Sequence, residues 1–359
     1  MIGPWADVML LGAGSAIAML LLGVIRPNGE TLAQLAVLAL VLANFVNHPH
    51  FAYSYQIFYG SWSDVKAGAM PPDLSRRWWL AGAFVPVLLV FGLAGCAVFA
   101  LRGNYQPMAW AVILMGLLVG WHYVKQGFGM AMVDAALKNC YWPAGTRRAL
   151  LINAYACWAA AWALTASLIT NQQIFWGIAK ISLGIPPLLV AATCVIAAAT
   201  TVWCALSVIR CGKQWHQQGL GWRQMPVAGL VAYLITMYLW MGMLSHEPAF
   251  ALFIPLFHSL QYLTVIARYK SNEAKLEPQV RLLPFALKGA LLGALGFWLL
   301  PGAADFLHTG KLPEHDGSPS VFIAAAWIFI NVHHYFIDNV LWRQGNPKVK
   351  KFLFTAPNQ

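Results

Sequence analysis

The stretch Asn331–Asn339 reads NVHHYFIDN and lies inside an apolar segment, residues 320–342, that is long enough to cross a bilayer. Imidazoles and a carboxylate at that depth are costly to hold in lipid, so they usually face a partner or a functional site. His334 and Asp338 are four residues apart and therefore share one face of a helix. This stretch predicts a membrane-spanning helix that carries a buried polar site.

The composition of the whole chain favours the same environment. Of the 359 residues, 60% are hydrophobic and only 10% are charged, whereas a soluble domain has about 25% charged residues. The net charge of +11 could indicate nucleic acid. The basic residues, however, are distributed as membrane topology requires, so nucleic acid is not an expected partner and membrane lipids are.

Ten segments are apolar enough to span a membrane, each about 20 residues or longer. They are residues 6–25, 32–58, 78–101, 108–137, 148–171, 187–210, 226–245, 249–268, 283–301 and 320–342. The connections between them are short. The sequence therefore predicts an all-α, polytopic helix bundle: a single transmembrane domain over 1–359 with a short basic C-terminal tail, 343–359.

Lys and Arg residues are concentrated in every second loop of this arrangement. Seventeen lie in the loops after the even-numbered segments and in the tail, whereas four lie after odd-numbered segments: Arg26, Arg102, Lys180 and Lys311. Because cytoplasmic loops collect Lys and Arg, both termini are predicted to be cytoplasmic. We expect an integral protein of a bacterial inner membrane.

Four even-numbered segments carry histidines, and all four run from outside to inside. The histidines are His48 and His50 in the second segment, His122 in the fourth, His258 in the eighth, and His333 and His334 in the tenth. Counted from the segment starts they lie roughly 9–18 residues in, which is about 14–27 Å along a helix. These similar depths predict that the four segments converge on one buried site, and a metal is its expected occupant.

The first two of these segments have further polar residues beside the histidines. Pro49 stands between His48 and His50 and should bend the helix, which either aims both imidazoles at one centre or serves packing alone. In the fourth segment Gln126 shares a face with His122. Lys125 either extends toward the interface or pairs with a carboxylate, Asp134 or Asp338.

The last two segments follow the same pattern. His258, Gln261 and Tyr262 have the spacing of one helix face, so the two polar neighbours could orient the histidine. His333 and His334 are adjacent and point about 100° apart on a helix, and the sequence leaves open which of them faces the site. Asp338 could bind metal itself or orient His334.

These residues make up the predicted site. The predicted metal ligands are His48, His50, His122, His258, His333 and His334, and the predicted catalytic residues are Tyr262, Lys125 and Asp338. Neutral imidazole suits iron, copper, zinc and nickel. Non-haem iron is the expected cofactor, with haem as the alternative.

Two families of histidine-rich membrane enzymes resemble the chain in part. Pro49-His50 and His258-Ser259 are similar to elements of the bacterial and archaeal membrane dioxygenases that cleave β-carotene with non-haem iron, although Phe51 and Tyr262 stand where that family has Gly and His. More loosely, His333-His334 resembles the paired histidines of membrane fatty-acid desaturases and hydroxylases. These resemblances imply iron chemistry with O2 on a lipophilic substrate.

The leading hypothesis is therefore a membrane oxygenase that uses non-haem iron and O2 on a polyene or acyl lipid. Three alternatives remain: a haem-binding electron-transfer protein, a proton- or metal-coupled transporter with a buried His/Asp/Lys relay, and a structural membrane protein held by polar contacts. The substrate, the number of metals and the oligomeric state are not predicted.

The predicted topology can be checked with reporter fusions. A reporter that is active only in the cytoplasm should be active when fused after the last predicted segment, 320–342, and a periplasmic reporter should be inactive there. The same reporters placed after Arg102 should give the opposite pattern, because that loop is predicted to be external. A C-terminal fusion active only in the periplasm would contradict the topology.

Overall fold

The structure is a computed structural model that describes residues 1–169, 174–243, 248–310, 319–343 and 345–354. Its helices, in chain order, are α1 (Pro4–Val8), α2 (Gly14–Ile25), α3 (Gly29–Phe45), α4 (Asn47–Gly60), α5 (Trp62–Lys66), α6 (Pro72–Trp79), α7 (Val85–Leu101), α8 (Gln106–Leu137), α9 (Ala144–Leu168), α10 (Pro187–Gln217), α11 (Val227–Leu234), α12 (Met241–Met243), α13 (Pro248–Leu276), α14 (Leu282–Ala294), α15 (Leu300–Thr309), α16 (Val321–Leu341) and α17 (Pro347–Leu353). Two short strands, β1 (Ile174–Phe175) and β2 (Ile178–Ala179), pair antiparallel. The prediction of an all-α protein is confirmed.

Four π-helical turns interrupt the α-helices within the described residues. They are π1 (Met9–Ala13), in which the backbone kinks at Gly12 with φ 172° and ψ −37°, π2 (Leu80–Phe84), π3 (Ile235–Trp240) and π4 (Leu295–Leu299). Such turns are rare and often occur at functional sites. The apolar periodicity of the sequence gave no sign of them.

Eight helices in the described part of the chain are long and apolar enough to cross a membrane. They are Trp5–Ile25, Gly29–Lys66, Pro72–Leu101, Gln106–Leu137, Ala144–Leu168, Pro187–Gln217, Leu282–Thr309 and Val321–Leu341. The predicted segment 226–245 corresponds to a shorter apolar helix, Val227–Trp240, and 249–268 lies within α13. The exact count of ten remains a prediction.

The second predicted segment contains a break just before its histidines. Helix α3 ends at Phe45, and α4 begins at Asn47 after Val46, whose φ and ψ are −119° and −56°. Pro49 therefore lies in the first turn of α4, where its missing N–H removes no helical hydrogen bond. The chain bends ahead of Pro49 and places both histidines at the start of a new helix.

The chain forms two compact units, each assembled from separate stretches. The first comprises Met1–Leu42, Gly120–Leu168 and Leu183–Ala267, and the second comprises Ala43–Val119, Ile169–Ser182 and Arg268–Gln359. The predicted tail falls in the second unit. Its described part includes α17, with Val349, Phe352 and Leu353 buried; residues 344 and 355–359 of the tail lie outside the described residues.

The core of the second unit includes four alanines among larger apolar side chains. Ala97 and Ala100 of α7 pack with Ala109 of α8 and Ala324 of α16, and small residues allow membrane helices to approach closely. Where α14 approaches α4, a side chain at Gly293 would meet the backbone of His48 at 3.0 Å. Close packing of α4, α14 and α16 thus fixes the helices that carry the polar residues.

Proline inside a spanning helix leaves a carbonyl for a side chain to satisfy. Pro86, in α7, has no N–H to offer the carbonyl of Gly82 four residues earlier. The hydroxyl of Tyr59 donates to that carbonyl at 2.8 Å. A membrane interior supplies no water for this purpose, so the contact ties α4 to π2.

A second proline, at the start of α15, leaves a carbonyl of π4 in the same situation. Pro301 has no N–H for the carbonyl of Phe297. The indole N–H of Trp327 donates to that carbonyl at 3.2 Å. This contact ties α16 to π4.

In the first unit, a buried polar cluster joins three helical elements around Asn153 of α9. Its Nδ2 donates to the hydroxyls of Tyr233 at 2.9 Å and Tyr238 at 2.8 Å. Its Oδ1 accepts from Thr200 at 3.1 Å and Thr201 at 3.0 Å. The amide of Asn153 thus connects α9 to hydroxyl groups on α10, α11 and π3.

Asn153→Ala should therefore destabilise the protein by about 1–3 kcal/mol, because it removes shared bonds and leaves buried hydroxyls to find new partners. Thermal unfolding in detergent measures the effect. Thr193→Ala is the matched control, since the Thr193 hydroxyl donates only to Val190 O within its own helix. Equal losses of stability in the two variants would contradict the prediction.

Candidate functional site

The predicted site residues fall into two groups, one in each unit. The second unit holds His48, His50, His333, His334 and Asp338, and the first unit holds His122, Lys125, His258 and Tyr262. All of them except Lys125 are buried. That all the histidines serve one centre is a prediction from the depths of their segments in the sequence, and it stays one.

His334 and Asp338 form a buried pair on α16. The imidazole Nε2 lies 3.2 Å from the carboxylate Oδ2, and His334 is fully buried. Their spacing of four residues places both on one helix face, as the sequence predicts. A carboxylate buried among apolar helices requires a cation or strong hydrogen-bond donors nearby.

His50 of α4 meets His334 edge to face. The ring centroids are 4.9 Å apart and the planes are perpendicular. Nδ1 of His50 is hydrogen bonded to the carbonyl of Asn47. Because a carbonyl only accepts, Nδ1 carries the proton and the lone pair is on Nε2, which is the usual orientation of a metal-binding histidine.

His333 is held differently from its neighbour. Its Nε2 lies 3.0 Å from the carbonyl of Ala81 and its Nδ1 lies 2.8 Å from the hydroxyl of Tyr55. Both ring nitrogens are thus engaged by protein groups. This arrangement favours His334 over His333 as the histidine of the pair that binds a ligand, a choice that the sequence left open.

The bond from His333 has a cause in the local backbone. Within π2, the N–H of Val85 is bonded to the carbonyl of Leu80, and the next residue, Pro86, has no N–H. The carbonyl of Ala81 therefore lacks its regular helical donor. The Nε2–H of His333 satisfies it.

His48 lies in an aromatic enclosure. Its ring stacks on Phe297 at 4.2 Å and meets the edges of Trp298 at 5.9 Å and Trp327 at 5.4 Å. Nδ1 lies 3.2 Å from Oδ1 of Asn44. Among the described residues, its buried Nε2 has no hydrogen-bond partner.

In the first unit, His122 of α8 and His258 of α13 face each other through their Nε2 atoms at 3.2 Å. Two nitrogens bound to one metal at about 2.0–2.1 Å lie about 3.0–3.4 Å apart at ordinary coordination angles. A shared proton gives a similar distance. The pair is thus suited to binding either a proton or a metal between its two nitrogens.

Polar and aromatic neighbours fix His258. Nε2 of Gln126 donates to the His258 carbonyl at 2.9 Å and to Oε1 of Gln261 at 3.1 Å. Gln261 in turn donates to the carbonyl of Leu11 in π1. The ring of Tyr123 lies over His258 with centroids 4.3 Å apart. Gln126 of α8 and Gln261 of α13 thus join the two helices that carry the histidine pair.

Lys125 and Tyr262 are the remaining predicted residues of this unit. The Lys125 ammonium lies 5.9 Å from the ring centre of Phe128 and 6.0 Å from that of Tyr155, a distance suited to cation–π contact. Within the described residues, no ion pair joins Lys125 to a carboxylate. Tyr262 is buried one helical turn after His258. Their catalytic roles remain predictions.

Asp134, the other carboxylate considered for Lys125, has partners of its own. Its Oδ2 lies 3.3 Å from the Lys138 ammonium. The same oxygen accepts the backbone N–H of Gly229 at 2.8 Å. Asp134 thus connects α8 to α11.

The comparisons with protein-family models, with curated proteins and with solved structures give no match to this chain.

Three contacts of the second group were not predicted from the sequence: the bond between the Tyr55 hydroxyl and His333, the bond between His333 and the carbonyl of Ala81, and the stacking of Phe297 on His48. Tyr55 and Phe297 are distant in sequence from the histidines they contact. Pro86 was the one available signal, because a proline beyond the first turn of a spanning helix leaves a carbonyl for another donor.

Gly293→Ala should destabilise the second unit, because the new methyl group would lie 3.0–3.1 Å from the backbone carbon and oxygen of His48 and α4 would have to move. Overpacking of this kind costs about 1–3 kcal/mol. Thermal unfolding measures it. Gly92→Ala is the control, since no atom lies within 4 Å of a methyl group there, and it should be neutral or slightly stabilising. Similar losses in both variants would refute the packing argument.

Proposed function

We propose that this protein is an integral membrane enzyme that holds non-haem iron and uses O2 to oxidise a lipophilic substrate such as a polyene or acyl lipid. The observation that carries the proposal is the buried set of two imidazoles and one carboxylate, His50, His334 and Asp338, on two packed helices. Part of the proposal is a fold of ten spans in a bacterial inner membrane with both termini cytoplasmic.

The donor set is chemically suited to iron. Two histidines and one carboxylate are the side-chain donors that non-haem Fe(II) oxygenases use, leaving further positions for O2 and substrate. The His50 tautomer supports this role, because its Nδ1–H is held by a backbone carbonyl. A divalent ion would also compensate the buried charge of Asp338.

The chain's own residues would then have defined roles. His50 and His334 would hold the metal through neutral nitrogens, and Asp338 would either bind it or orient His334. Bound iron would supply the activation of O2. Phe51, whose ring lies 4.6 Å from that of His334, would keep the surroundings apolar for a substrate entering from the bilayer.

The His122–His258 pair in the first unit has donors of the same type. Its Nε2–Nε2 distance of 3.2 Å is compatible with a shared metal or with a shared proton. We include both histidines as ligands in the proposal, with Tyr262 and Lys125 as the residues whose roles in catalysis should be tested alongside them.

The test begins with detergent-purified protein, its metal content and its absorption spectrum. We expect iron without the intense visible bands of haem, and a loss of iron in His334→Ala and in His50→Ala. His216→Ala is the control, because His216 is exposed at the end of α10 and should keep full iron content. Haem bands that vanish with these histidines would instead indicate the electron-transfer alternative.

Asp338→Asn is a graded test, since it keeps shape and hydrogen bonding but removes the charge. If Asp338 orients His334, metal affinity should fall about 10–100-fold. If Asp338 binds metal itself, the loss should be nearly complete. Wild-type protein that carries no metal and takes up none on iron reconstitution would refute the proposal, and a proton relay for transport would become the leading account.

A further inference from the structure

Tyr55 and His333 make a hydrogen bond that could transfer a proton. The Tyr55 hydroxyl lies 2.8 Å from Nδ1 of His333, and Nε2 of His333 lies 3.0 Å from the carbonyl of Ala81. Because the carbonyl can only accept, Nε2 carries the ring proton and Nδ1 accepts from the tyrosine. Nδ1 is therefore placed to receive the phenolic proton.

A continuous series of oxidisable rings leads from this pair to the surface. Tyr59 stacks on Tyr55 with centroids 6.1 Å apart and planes 16° apart. Trp62 follows at 5.7 Å and Trp79 at a further 4.9 Å. Trp79 is 46% exposed. Phenol and indole rings lose an electron far more readily than phenyl rings, and the series contains no phenylalanine.

The pair lies on the same helices as the proposed metal donors. Tyr55 follows His50 by five residues on α4, and His333 directly precedes His334 on α16. The series of rings thus begins beside the donor set and ends at a solvent- or lipid-accessible indole.

We infer that Tyr55 and His333 form a proton-coupled redox pair, which passes single electrons from the surface at Trp79 to the metal centre; this inference rests on the proposed function. Tyr55 would lose one electron to a bound metal ion in its oxidised state, which would act as the one-electron oxidant. The phenolic O–H bond breaks and the proton moves to Nδ1 of His333, leaving a neutral tyrosyl radical and an imidazolium. An external one-electron donor then returns an electron through Trp79, Trp62 and Tyr59, and the proton returns to Tyr55.

The first experiment needs no metal. Metal-free protein in detergent is oxidised by light with a water-soluble ruthenium polypyridyl complex and persulfate, frozen, and examined by electron paramagnetic resonance. We expect a tyrosyl radical whose spectrum narrows with ring-deuterated tyrosine. Tyr55→Phe should remove most of this signal, and Trp79→Phe should lower its yield several-fold by interrupting the path.

The control for Tyr55→Phe is Tyr53→Phe, two residues away on α4. Tyr53 stacks on Phe285 at 4.9 Å and lies outside the series, so its removal should leave the signal unchanged. His333→Gln should give less radical or a shorter-lived one, because glutamine is a poor proton acceptor. A signal that is unchanged in Tyr55→Phe, or a loss of thermal stability without any change in the radical, would overturn the inference and identify the pair as a tether between helices.

The second experiment separates this inference from the proposed function. Iron-loaded protein is treated with hydrogen peroxide and examined in the same way, with the same variants. If the protein binds iron but neither experiment gives a radical that depends on Tyr55, the redox pair is overturned and the metal proposal stands. A light-induced radical on Tyr55 in protein that never binds iron supports the pair and refutes the metal proposal.

Discussion

The constraint on which this structure depends is that a carbonyl inside a membrane must find a donor within the protein. Pro86 and Pro301 each leave carbonyls without their helical donors. In each case the replacement comes from another helix: Tyr59 and His333 reach Gly82 and Ala81, and Trp327 reaches Phe297. Side chains of α4 and α16 are thus bonded to π2 and π4, where prolines leave the helical hydrogen bonding incomplete.

The histidines differ in their contacts, partly because carbonyls without helical donors take some of their ring nitrogens. His333 is hydrogen bonded to the carbonyl of Ala81 and to the hydroxyl of Tyr55, and His48 is enclosed by aromatic rings. His334 instead faces a carboxylate and an imidazole edge, while His122 and His258 meet nitrogen to nitrogen. Residues that look equivalent in the sequence, such as His333 and His334, therefore differ in the groups that their ring nitrogens face.

The sequence predicted the parts of the structure that depend on local patterns. Apolar runs located the eight long helices, and the spacing of four residues predicted the His334–Asp338 pair. The position of the bend was not predicted, because the break falls at Val46 and Pro49 lies in the following helical turn. The π turns and the Tyr55–His333 bond depend on contacts between distant segments, which one sequence does not reveal. From the sequence, Asp134 or Asp338 was a possible ion-pair partner of Lys125. In the described contacts its ammonium lies beside two aromatic rings.

The proline at position 86 also constrains how the chain can evolve. A non-proline residue there would restore an N–H to the carbonyl of Gly82 and compete with the hydroxyl of Tyr59. A change that improves the helix would in this way release the side chain of Tyr59 on α4. Positions 59 and 86 should therefore covary among relatives, because this carbonyl needs the hydroxyl at position 59 only while position 86 is proline.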